Sequence, residues 1–112
     1  MGLIPKITLQ VWVCIPKGRE AEGERVVSDV VSVLGEHGGG ATVVPCSGVW
    51  IDPRTDDVVT DDVRRVETDL CATSFTLDAV EALADDVADH VKERLEESAV
   101  YVRYFAAVGG SL

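Results

Sequence analysis

The apolar positions change period along the chain, from 2 to 3.6 and back, and these changes divide it into six elements. Residues 6–15 alternate: Ile7, Leu9, Val11, Val13 and Ile15 point one way, while Lys6, Thr8, Gln10, Trp12 and Cys14 point the other. That pattern predicts a strand with one fully apolar face, ended by Pro16 and Gly18. Residues 19–37 predict a helix, with Val26, Val27, Val30, Val31 and Leu34 as its stripe and acidic residues in its first turns. Gly23 weakens the first half of that helix by propensity, and Gly38, Gly39 and Gly40 stop it.

Residues 41–51 predict a second strand. Pro45 cannot donate to a ladder, which places this strand at an edge or at a bulge, and Gly48 leaves its parity open. A turn at 52–57 follows, then a third strand best marked at 63–72. There Val66, Thr68, Leu70 and Ala72 share one side, and Arg65, Glu67, Asp69 and Cys71 the other. Thr76 is positioned to cap a long amphipathic helix over 77–97, and residues 99–108 predict the last strand. The order β-α-β-β-α-β in a single domain of 112 residues predicts an α+β, ferredoxin-like sandwich. Both helices then cover one face of a four-stranded antiparallel sheet.

The other face of that sheet is the informative one. It is expected to carry Trp12 and Cys14, then Arg65, Glu67, Asp69 and Cys71, then Tyr101, Arg103 and Phe105. Aromatic groups mixed with opposite charges on a solvent-side face predict a protein interface. Trp12, Arg65, Glu67, Asp69, Tyr101, Arg103 and Phe105 are the candidate oligomer-interface residues. RNA-binding sheets also carry aromatics, but the basic surround and the ribonucleoprotein motifs are missing here.

Composition narrows the function further. Asp and Glu number 20 against 10 Lys plus Arg, for a net charge of -10, which argues against a nucleic-acid partner. Such a surface on a chain that is 46% hydrophobic fits a halophile protein, kept hydrated where salt screens its self-repulsion. A GC-rich genome biases codons the same way. No apolar run approaches a membrane span, the first residues do not form a signal peptide, and the cytoplasm is the default compartment, or a virion if the source is viral.

Candidate chemistry is sparse. Cys14, Cys46 and Cys71 form no CxxC pair. The first and third strands are expected to be adjacent and parallel, which places Cys14 and Cys71 near the same strand ends on one face, where they could approach each other, with Cys46 remote if the hairpin turns at Thr55–Asp56. Three thiols without a histidine make an incomplete metal set, so Cys14 and Cys71 are weak metal candidates beside the plainer reading of buried free thiols. His37 and His90 read as solvated helix residues. Gly38–Gly40 lacks the Lys and Ser or Thr of a P-loop, and no nucleophile–base pair is recognisable.

The stretch GGATVVPCSGVWIDPRTDDVVTDDVRRVETDLCA, followed by an amphipathic helix and ESAVYVRYFAAV, resembles small ferredoxin-like proteins. Its layout is similar to CutA and PII-type trimers. That resemblance implies a long hairpin between the second and third strands and sheet-to-sheet packing of copies. The nucleotide-binding glycines and basic residues of PII proteins are not visible, so no cofactor is implied. The expectation is therefore a non-catalytic, homo-oligomeric regulatory or binding module. A structural subunit of a larger assembly, such as a halophilic virus particle, is the second reading. A small dimeric α+β-barrel enzyme is the third.

Overall fold

A computed structural model describes residues 4–109. The elements are β1 (Ile4–Ile15), α1 (Glu20–Gly38), β2 (Thr42–Ile51), β3 (Val58–Cys71), α2 (Leu77–Leu95) and β4 (Tyr101–Gly109). This is the βαββαβ order expected, and the four strands form one antiparallel sheet in the order β2-β3-β1-β4.

The core lies between the sheet and the helix layer. Leu9, Val11, Val13, Val66 and Leu70 rise from the two central strands to meet Val30 and Leu34 of α1 and Val80 and Val91 of α2, with almost no solvent access. Burying a side chain of this size is worth about 1.5–3 kcal/mol, so this Val-rich layer supplies most of the drive to fold. The N-terminus of α2 is capped as the sequence requires: the Ala79 N–H donates to Thr76 Oγ1 at 3.1 Å. α1 has no side-chain cap at Arg19; instead the Gly18 N–H donates to Glu20 Oε1.

Two glycines of α1 act through packing rather than propensity. A Cβ on Gly23 would stand 2.9 Å from Pro16 Cδ, and one on Gly38 would overlap the Thr68 hydroxyl. Thr68 spends that hydroxyl on the Gly40 carbonyl at 2.6 Å, tying the helix exit to β3. Gly38 is therefore the last residue of the helix, and the left-handed turn falls at Gly39, with φ of 80°.

One topological expectation is overturned. β1 and β3 are neighbours, but they run antiparallel, with Lys6 opposite Cys71 and Cys14 opposite Val63. Each βαβ crossover skips a strand, so its two strands are parallel and the intervening one is antiparallel to both. β3 also begins five residues earlier than its clearest alternation. Val58 pairs with Ile51 across the Asp52–Asp57 turn, and the hairpin runs on past Val63. The molecule is 52 Å long, close to the reach of the 14-residue β3 itself. The two outer strands, β2 and β4, contain no buried residue at all.

Candidate functional site

Strand register fixes which side chains share the helix-free face. Across the sheet, Phe105, Thr8 and Asp69 form one row, Arg103, Gln10, Glu67 and Thr42 the next, and Tyr101, Trp12, Arg65 and Val44 the third. All seven residues singled out in the sequence, Trp12, Arg65, Glu67, Asp69, Tyr101, Arg103 and Phe105, fall in these three rows.

Trp12 is the centre of the arrangement. Its ring meets Tyr101 edge-on, with centroids 4.9 Å apart. Two guanidiniums flank it, Arg103 at 5.4 Å and Arg65 at 5.9 Å from the ring centroid. Arg103 also lies 5.4 Å from the Phe105 centroid. A cation over an aromatic face is attracted by the ring quadrupole, and the planar guanidinium stacks there while keeping its N–H groups free to donate.

The polar groups of the face are satisfied within it. Arg103 donates from Nε and Nη2 to Gln10 Oε1, at 3.1 and 2.8 Å. Arg65 Nε donates to Glu67 Oε1 at 2.9 Å, and Thr8 Oγ1 donates to Asp69 Oδ1 at 2.7 Å. Thr8 and Gln10 are themselves buried, on the side of β1 that faces away from the helices. They form a floor that hydrogen-bonds Asp69 and Arg103 above it. Sequence reading passed over both, although two uncharged polar residues between Lys6 and Trp12 are what such a floor requires. Tyr101 remains 61% exposed and Phe105 41%.

Trp50 joins the same face, which its sequence context left open. It pairs with Val59 in the hairpin, on the parity of Trp12's row, and its Nε1–H donates to Asp61 Oδ2 at 3.0 Å.

The cysteines are arranged differently from expectation. Cys14 and Cys71 lie at opposite ends of the β1–β3 ladder and do not meet. Cys14 instead faces Val63 from one side and Cys46 faces it from the other, so these two share the face. Burial pushes the Cys14 thiol up, and the negative charges of Asp61 and Glu97 add to that. Cys71 is shifted the other way: hydrogen bonding by Thr73 lowers it, and Ser74 and Lys6 contribute. Among the described residues, no three His, Cys, Asp or Glu side chains converge as a metal-binding set.

The histidines belong to the helix layer. His37 Nδ1–H donates to the Val33 carbonyl at 2.8 Å. His90 contacts Asp29 Oδ2 of α1 at 2.9 Å, joining the two helices. No described helix is long and apolar enough to cross a membrane.

No protein-family model matches the chain, and no curated protein does. Solved structures do. A phage SAM lyase in complex with S-methyl-5'-thioadenosine is 14% identical, with a TM-score of 0.64 over 93% of this chain and 90% of that one. CutA1 from Oryza sativa is 21% identical, with a TM-score of 0.57 over 96% and 84%. CPII from Thiomonas intermedia, bound to ADP, AMP and acetate, is 17% identical, with a TM-score of 0.52 over 99% and 94%. The chain has the ferredoxin-like fold of CutA and PII-like proteins.

Proposed function

We propose that this chain is a homo-oligomeric regulatory or binding module, and that the helix-free sheet face is its self-association surface. The observation that carries this is the Trp12 cluster. A tryptophan, a tyrosine and a phenylalanine stand on one face with two arginines among them, Arg103 held by Gln10 and Arg65 by Glu67. Aromatic and arginine side chains are the residues that dominate protein interfaces. Pre-ordered rotamers lower the entropy that binding must overcome. The kinship in fold with CutA and PII-like proteins fits this reading.

Replacing Trp12 by Glu tests it. The change removes the indole that both guanidiniums flank and sets a carboxylate between Arg65 and Arg103. The apolar centre of the face is then lost, and losing an aromatic anchor from an interface costs about 2 kcal/mol or more. Sedimentation of Trp12→Glu beside the wild type is expected to show the oligomer lost, with helicity intact because the core side of β1 is untouched. A wild type that is monomeric at every salt concentration, or a variant with the same oligomer, overturns the proposal. The same measurement separates a small closed ring from a subunit of a larger particle.

A second reading is an enzyme acting on an adenosyl compound, favoured by the TM-score of 0.64 to the phage SAM lyase. Incubation with S-adenosylmethionine tests it: release of S-methyl-5'-thioadenosine supports an enzyme, and unchanged substrate leaves the binding module.

A further inference from the structure

Three arginines line one open cavity of the helix layer, away from the open sheet face, with Arg25 and Arg94 exposed. A cavity of about 560 Å³ lies between the start of α1 and the end of α2, lined by Arg19, Arg25 and Arg94 together with Glu22, Asp29 and Val26. Arg19 has a structural task. Its Nε donates to Glu22 Oε2 at 2.9 Å, and its Nη2 donates to the Arg94 carbonyl at 3.3 Å, covering a carbonyl that the end of α2 leaves open.

Arg25 and Arg94 have no such task. Among the described residues neither guanidinium makes a side-chain hydrogen bond or has a carboxylate within 4.0 Å. Arg54, Arg64 and Arg65 each have a carboxylate partner, and Arg103 is held by Gln10. Nor do the cavity's own acids answer them. Glu22 is taken by Arg19, and Asp29 by His90 at 2.9 Å. The Glu22 carboxyl lies below its usual range, first through the Arg19 hydrogen bond, with the charges of Arg25 and Arg94 adding to that of Arg19. All three guanidiniums therefore act on one small region.

We infer that this cavity binds a phosphate group, inorganic or carried by a small phosphomonoester, through Arg25 and Arg94. The guanidinium forks come from two separate helices. A phosphate dianion has enough terminal oxygens to accept from both, whereas a monocarboxylate is matched by one. The volume lies within the roughly 300–1,000 Å³ of small-molecule sites, so an organic group can accompany the phosphate. This site shares no residue with the Trp12 face, and the two proposals stand or fall separately.

Calorimetric titration at fixed ionic strength tests it, with inorganic phosphate, glycerol 3-phosphate and acetate as probes. The wild type is expected to saturate with at least one phosphate probe and not with acetate. The double variant Arg25→Gln, Arg94→Gln should bind about a hundredfold more weakly, since each of the two lost charge-assisted pairs is worth about tenfold. Arg25→Lys, which keeps the charge but loses the fork, should fall between, and Arg54→Gln on the hairpin should bind like the wild type. Tighter binding of glycerol 3-phosphate than of phosphate assigns the site to a phosphomonoester; the reverse assigns it to the free ion. If neither phosphate probe saturates the wild type, or if the double variant and Arg25→Lys bind as tightly as it does, the inference is wrong.

Discussion

Two thiols of this molecule stand in surroundings that shift them in opposite directions. Cys14 and Cys71 have the same thiol, but burial and nearby carboxylates raise one, while hydrogen bonds from Thr73 and Ser74 and the charge of Lys6 lower the other. The thiolate is the reactive form. A group with a lowered pKa reaches that form at lower pH, so Cys71 should label before Cys14 as pH rises. Mass spectrometry of iodoacetamide adducts across a pH series will check this; equal rates at both sites would show that their environments do not differ. The sequence could not disclose this difference, because it depends on which strand end each thiol occupies.

At the scale of elements, the regular parts were legible and the junctions were not. The alternation of Ile7, Leu9, Val11, Val13 and Ile15 and the stripe from Val80 to Leu95 are consequences of one buried face each, and both elements form where the pattern lies. Strand direction leaves no such trace. Side chains alternate identically in parallel and antiparallel ladders, but the element order carries the direction. In an antiparallel sheet whose crossovers each skip a strand, β1 and β3 must oppose, so the separation of Cys14 from Cys71 was implied by the predicted topology and was misread. The first residues of β3, Val58 to Asp62, were hidden for another reason: the hairpin carries them beyond the core, and both their faces can be polar or apolar. Gly23 was weighed as a poor helix former and Gly38 as part of the helix stop, whereas both stand where a Cβ would meet a neighbour. Gly38→Ala makes the distinction measurable. In an exposed helix interior that change stabilises by about 1 kcal/mol, but here the methyl group meets Thr68. It should destabilise by about 1–3 kcal/mol in urea unfolding, with partial recovery on adding Thr68→Ala. A more stable Gly38→Ala would mean that the helix exit gives way freely.

For the whole molecule, charge and assembly are the governing quantities. With 20 acidic residues against 10 basic ones, the folded chain concentrates negative charge that the unfolded chain spreads out. The halophile reading predicts a melting temperature that rises from dilute buffer to molar KCl, where the screening length falls to about 3 Å. A melting temperature independent of salt would leave the acidic composition to codon bias.

The bare outer strands carry one more consequence. β1 and β3 are sealed on both edges by neighbours, while β2 and β4 have no buried residue and one free edge each. β2 is blunted by Pro45, but β4 offers an uninterrupted row of amides from Tyr101 to Gly109. Hydrogen–deuterium exchange therefore becomes a clock for association. In a dilute, dissociated sample the β4 amides should exchange orders of magnitude faster than those of β1, because local fraying exposes them without global unfolding. Raising the protein concentration should slow β4 selectively if copies of the chain cover it, and leave β1 at the rate set by whole-molecule opening.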